Sequence, residues 1–128
     1  MNGLEKIKKV DKLWGYELWF TNNDKYCCKL LHIDKGAHCS SHYHLLKQES
    51  FIPIKGKLWL EVEGDVYILA ERQAFTIEQS IRHRFWTEDE YCEFIEASTH
   101  HEDSDSYRLE PSGYFKDGEF INEHLCQK

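Results

Sequence analysis

His42, His44, Glu49 and His83 are the residues whose types and spacing point most directly to chemistry. On a β-strand, residues two apart share a face, so His42 and His44 present two imidazoles to the same side. Glu49 follows at a distance that lets it return on a neighbouring strand, adding an oxygen donor and negative charge. Gly36 and Gly56 bracket the stretch and suit the tight turns that bring those strands together. His83 supplies a third imidazole from the strand-like run Ile81-Arg82-His83-Arg84-Phe85. Three imidazoles and a carboxylate suit one divalent ion (Mn, Fe, Ni, Co or Zn), leaving one or two coordination positions for water or substrate. A lone His-x-His pair is more often a surface or core coincidence; it is the whole spacing that points to a metal.

Strand parity nominates further residues around the same interior. Glu96 shares its face with Cys92 and Phe94 and points inward if those two are core; pairing with Lys29 or Arg108 is its alternative role. Lys29 shares a face with Leu31 and Ile33, which makes it a buried cation. His38 has the parity of Ser40, His42 and His44, so it faces the cavity if that stretch is straight, with a purely structural hydrogen bond as the alternative. Arg84 alternates away from His83 and is expected outside, and Tyr43 is expected to pack. His32, His100, His101 and His124 are read as ordinary histidines, and Trp59, Phe51, Phe75 and Phe85 as barrel or interface filling.

The elements that must position these side chains are short, rich in aromatic and β-branched residues, and separated by turn signals, the pattern of an all-β sandwich or barrel. Strands are expected at Tyr16–Phe20, Tyr26–Ile33, Ser50–Ile54, Lys57–Glu63, Val66–Leu69, Ala74–Glu78, Arg82–Thr87 and Tyr91–Ala97. The residues at Asn22-Asn23-Asp24, Asp34-Lys35-Gly36, Lys55-Gly56 and Gly64-Asp65 accept turn geometry. The tail from Gly113 to Lys128 reads as a terminal strand or a short helix. One domain of 128 residues is expected, with its barrel core at about 14–114.

Composition narrows the partners. The formal charge of −7, without a Lys/Arg stripe, disfavours nucleic acid. No apolar run approaches a membrane span, and the first twelve residues are charged throughout, so a cytoplasmic protein is expected. Five cysteines (Cys27, Cys28, Cys39, Cys92 and Cys126) lack paired metal-type spacing and are read as reduced thiols, mostly packing.

Gly36, five residues, His42-Tyr43-His44, four residues, Glu49, six residues and Gly56 resemble the first motif of the cupin superfamily position for position. The resemblance implies an all-β cupin barrel (a double-stranded β-helix, or jelly roll) with a short C-terminal extension. Where the second cupin motif has Gly, Pro, Gly, His and Asn, this chain has Arg72, Glu78, Ser80, His83 and Thr87. A modified rim near residues 78–82 around an intact ligand is therefore expected.

The flanks, including Trp14-Gly15-Tyr16-Glu17, Lys25-Tyr26 with Lys29, His83-Arg84-Phe85, Phe94-Ile95-Glu96 and Asp105-Ser106-Tyr107-Arg108, resemble the cupin domain of type II mannose-6-phosphate isomerases. That likeness covers residues 14–114 and departs at the first ligand slot, His42, where the family commonly has Gln. It implies a metal-dependent isomerase or epimerase acting on a sugar or sugar phosphate. Glu96 would be the proton shuttle and Glu49 both ligand and catalytic carboxylate; Lys29, His38 and Arg108 would contact substrate, and a homodimer is expected. Two other readings stay open: an iron-dependent dioxygenase, suggested by the three-His, one-Glu set, and a non-catalytic carbohydrate-binding barrel, suggested by the altered second motif.

Overall fold

A computed structural model of the chain describes residues 3–122. Its strands are β1 (Lys8–Lys12), β2 (Gly15–Asn22), β3 (Cys27–Ile33), β4 (Ala37–His38), β5 (Ser41–Tyr43), β6 (Glu49–Lys55), β7 (Leu58–Val62), β8 (Asp65–Leu69), β9 (Phe75–Ile77), β10 (His83–Trp86), β11 (Cys92–Ser98), β12 (Tyr107–Glu110), β13 (Gly113–Lys116) and β14 (Glu119–Asn122), with a single 3₁₀ turn at Asp103–Asp105. The eight expected strands appear as β2, β3 and β6 through β11, with ends shifted by a few residues. The described part of the tail is a β-hairpin, β13–β14, turning at Asp117 and Gly118, both at positive φ. His124 and Cys126 lie outside the described residues. No helix of the described residues is long and apolar enough to cross a membrane.

One sheet runs β1-β2-β3-β11-β6-β9; the other runs β12-β5-β10-β4-β13-β14, with β7 branching from β10 and carrying β8. The two sheets pack through Phe51 and Phe94 on one side and Phe85, Leu58 and Leu60 on the other, the jelly-roll barrel of the all-β expectation. Alternation explains why these segments are strands: β3 and β11 each bury every second residue along most of their length.

Each inward row changes character part-way along. Ile33 and Leu31 give way to Lys29 on β3, Cys92 and Phe94 to Glu96 on β11, Phe51 to Glu49 on β6, and Phe85 to His83 on β10. Pairing sets these changes at related levels, since Glu96 opposes Lys29 and His83 opposes His42. One end of the barrel is thus a hydrocarbon core and the other a buried polar chamber.

β10 breaks the alternation, because all four of its residues are buried. His83 and Phe85 belong to the interior, while Arg84 and Trp86 are covered from the other side by the β13–β14 hairpin. Arg84 stacks over Phe120 at 3.7 Å, and Trp86 packs against Phe115 and Phe120. Arg84 therefore points away from the cavity, as parity demands, but is enclosed by a hairpin that local pattern does not reveal.

The turns around the second motif keep a glycine-like backbone without glycine. Arg72 and Ser80 both have φ of 69°, in the left-handed region that ordinary side chains resist. The rim positions that lack glycine thus turn through the left-handed region all the same, and Ser80 N–H bonds His44 O at 2.6 Å. Ser80→Gly is expected to raise unfolding free energy by about 0.5 kcal/mol, relief of left-handed strain offset by the entropy of glycine. Urea denaturation of the two proteins checks it.

Candidate metal centre and its cavity

The donor nitrogens of His42, His44 and His83 all lie within 4.8 Å of one another. Glu49 Oε2 sits 3.0 Å from His83 Nε2 and 3.2 Å from His44 Nε2, with both histidines and the glutamate at least nine-tenths buried. Strand pairing causes this convergence. His83 and His42 are direct partners of β10 and β5, and Glu49 opens β6, where it opposes Ile77 and Ser98.

The protonation of the three rings follows from their outer hydrogen bonds. His42 Nδ1 is 2.7 Å from Ser40 O, His83 Nδ1 is 2.9 Å from Ile81 O, and His44 Nδ1 is 3.1 Å from Asp105 O. A carbonyl oxygen only accepts, so each Nδ1 carries the proton and each Nε2 presents a lone pair. The lone pairs of His44 and His83 then face the Glu49 carboxylate, and no proton lies between them. Glu49 Oε2 and His83 Nε2 accordingly have no hydrogen bond despite being 3.0 Å apart, a costly arrangement for buried polar atoms. The donors suit a cation: ligands about 2.1 Å from one ion at right angles lie about 3.0 Å apart. The fixed outer hydrogen bonds are also the arrangement that orients metal-binding imidazoles.

Burial, followed by the neighbouring His83, pushes His42 well below its ordinary pKa, so this ring stays neutral and ready to ligate. Burial opposes ionisation of Glu49, but the Lys47 ammonium outweighs it and holds the carboxyl well below the usual range.

The centre opens into a cavity of about 400 Å³ lined by His42, His44 and Glu49 together with Lys29, Lys47, Glu96, His101 and Arg108. His83, almost fully buried, completes the ligand set without lining it. Glu96 faces the cavity but is bound by one oxygen to Lys47 Nζ at 2.9 Å, a partner other than the Lys29 or Arg108 of the sequence reading. Lys29 is buried, 3.6 Å from Glu17 Oε1 and 4.1 Å above the Trp19 ring, and its ammonium makes no hydrogen bond among the described residues. Arg108 opposes His42 across β12 and β5.

His38 does not face this cavity. Cys39 and Ser40 both line it, so strict alternation fails between β4 and β5, and His38 turns to the other side. There its nitrogens meet Cys39 O at 2.8 Å and Ile121 O at 3.1 Å, with Phe120 against the ring. The parity argument assumed a straight strand, and the irregularity at residues 39–40 overturns it. Tyr43 stacks on Tyr107, on the packing side as expected. Cys39 and Cys92 are buried free thiols, each pushed up to about 12 chiefly by burial.

Three groups escaped the sequence reading. Lys47 places its ammonium 2.9 Å from Glu96, 3.4 Å from Glu49 and 3.0 Å from His101 Nδ1. Asp105 accepts the backbone N–H groups of Leu45, Leu46 and Lys47, and so fixes the loop that carries both His44 and Lys47. His101, read as ordinary, lines the cavity. The available signal was weak: Lys47 is a lysine two residues before a ligand, in a loop without periodicity.

Residues 29–98 match the cupin domain family. The chain belongs to the cupins. Comparison with curated protein sequences found no match. Among solved structures this cupin resembles KdgF from Halomonas sp., at 16% identity and TM-score 0.69, covering 76% of this chain and 89% of that one. It also resembles the capsular polysaccharide assembling protein CapF from Staphylococcus aureus, at 18% identity and TM-score 0.73, over 82% of this cupin but only 34% of CapF. The oxalate decarboxylase of Lactobacillus farciminis aligns at 18% identity and TM-score 0.69, over 80% of this cupin and 34% of that chain. At such identities the likeness is one of fold.

Proposed function

We propose that this cupin is a metal-dependent isomerase or epimerase acting on a sugar or sugar phosphate. The reading is carried by one observation: the four candidate metal donors share a chamber with a carboxylate oxygen and a buried cation that have no hydrogen-bond partner among the described residues. Glu96 spends Oε2 on Lys47, and its Oε1 makes no hydrogen bond among the described residues. Lys29 offers its N–H donors to whatever enters. The likeness to a capsular polysaccharide assembling protein is in keeping with a sugar substrate.

His42, His44, Glu49 and His83 would hold a divalent ion, and that ion would polarise a carbonyl together with the neighbouring hydroxyl. Glu96 removes the proton from the carbon beside the carbonyl and returns it to the adjacent carbon, or to the same carbon from a changed geometry. Burial raises the pKa of Glu96, but Lys47 outweighs it, so the carboxyl lies below its ordinary value and is ionised at neutral pH. Lys29 and Arg108 bind hydroxyl or phosphate oxygens. Lys12, Lys29, Lys47 and Arg108 line the chamber against Glu17, Glu49, Glu96 and Asp103, so a divalent ion would leave two net positive charges. That favours an anionic sugar.

The test is incubation of the metal-loaded protein with aldoses, ketoses and their phosphates in deuterated water, read by NMR. Deuterium appearing at the carbon beside the carbonyl is expected; its absence across the panel overturns the reading. Oxygen consumption dependent on ferrous ion would mark a dioxygenase instead, and saturable binding without turnover a binding protein. Lys29→Met should raise KM for a phosphorylated substrate about 10- to 100-fold with kcat nearly unchanged, the loss of one charge-assisted hydrogen bond.

A further inference from the structure

His101 differs from the other histidines around the cavity in which nitrogen carries the proton. Lys47 is an ammonium and only donates, so the 3.0 Å contact makes His101 Nδ1 the acceptor. The proton therefore sits on Nε2, which donates to Asp103 Oδ1 at 2.9 Å. His42, His44 and His83 carry theirs on Nδ1. All four rings thus turn a lone pair inward, but those of His42, His44 and His83 lie within 4.8 Å of one another while that of His101 stands apart, on Lys47 beside Glu96.

The ring is held on every side. The Asn22 side chain bonds the His101 backbone twice, accepting from its N–H and donating to its carbonyl, each at 3.0 Å. Trp19 packs edge-on against the imidazole at 5.1 Å. The His101 side chain is 10% exposed and its partner Asp103 86% exposed, so the pair runs from solvent into the cavity. Burial, Lys47 and Lys29 lower the pKa of His101 while Asp103 and Glu96 raise it; the net shift is downward and keeps the ring neutral. Asp103 is held ionised chiefly by its hydrogen bond from His101.

We propose that His101, backed by Asp103, is a second acid–base residue of this cavity, moving the hydroxyl proton of the substrate while Glu96 moves the carbon-bound one. The proposal rests on the isomerase reading above. A substrate hydroxyl takes the place of the Lys47 N–H at Nδ1. Its O–H bond breaks, an N–H bond forms at Nδ1, and Asp103 stabilises the imidazolium through Nε2. When Glu96 returns its proton to carbon, His101 returns its own to the neighbouring oxygen, and both residues end as they began. Lys47 keeps its bonds to Glu49 and Glu96 throughout.

Two variants test this, His101→Gln and, for a side chain too exposed to threaten the fold, Asp103→Asn. Both should retain metal and thermal stability and keep KM within about threefold. His101→Gln should lower kcat by about 10² to 10⁴ and remove the acid limb of the kcat pH profile. Deuterium wash-in at carbon should then outpace product formation. Asp103→Asn should lower kcat less and shift that limb. Nitrogen-15 NMR of the wild type should show His101 protonated on Nε2 alone at neutral pH; protonation on Nδ1 would overturn the proposal. Turnover by His101→Gln within threefold of an active wild type, or an unmoved pH profile in Asp103→Asn, would overturn it alone. A wild type that exchanges no substrate proton would sink the isomerase reading and this proposal with it.

Discussion

Lys47→Met is expected to destabilise this cupin by about 3–5 kcal/mol, the cost of leaving buried carboxylates without their counter-charge. The ammonium bridges Glu96 at 2.9 Å and Glu49 at 3.4 Å, and all three side chains are almost fully buried. No other ammonium or guanidinium among the described residues lies within 4 Å of either carboxylate, so nothing replaces it. For a chain of this size the thermal midpoint should fall by roughly 10–20 °C. Adding Glu96→Gln removes one of the orphaned charges and should restore part of the loss. If Lys47→Met melts within 3 °C of the wild type, the ion bridge contributes nothing.

The pH dependence of that variant carries a sign. Lys47 is raised above its ordinary 10.5: burial opposes this, but Glu96 and Glu49 prevail, so its contribution is complete below 10.5 and lost only at more alkaline pH. Glu49 and Glu96 lie below their ordinary 4.5, so their contribution is present above 4.5 and lost as pH falls through the lower folded values. The wild type should therefore lose stability in acid. In Lys47→Met the carboxylates lose the cation that most favours their ionisation, and moderate acidification should narrow its deficit. Denaturation at pH 5 and pH 7 compares the two.

Metal is expected to give the second large effect. Free ion at 1,000 times Kd should raise unfolding free energy by about 4 kcal/mol, and a chelator should reverse it. The response is tied to the unpaired Glu49 Oε2 and His83 Nε2, which face each other without a shared proton. His83→Ala should abolish the metal-induced rise in melting temperature. Glu49→Gln should weaken it, because the amide gives a metal a poorer, uncharged oxygen donor. A metal response that is lost or weakened in these variants separates a coordination site from an ordinary buried polar cluster. An equal response to metal in the wild type and His83→Ala would remove the centre from its assigned place.

The candidate donors and most of the strands were legible from local pattern, because parity on a strand decides which face a side chain takes, although β5, which carries His42, lies outside the expected strands. Parity put His42 and His44 on one face, the likeness to the cupin motif added Glu49 and His83, and the three imidazoles do come together beside Glu49. The same rule placed Lys29 and Glu96 on the inward face. It failed for His38, where two successive residues turn inward, and it could not show that Arg84 would be roofed by a later hairpin. Lys47, His101 and Asp105 lie in loops, where side-chain direction has no period to read. Their positions come from hydrogen bonds spanning many residues, such as Asp105 to the backbone of residues 45–47 and Asn22 to His101. The candidate ligands were thus legible in the order of the residues, whereas the charged and hydrogen-bonding groups around them were decided only when distant loops closed over the polar end of the barrel.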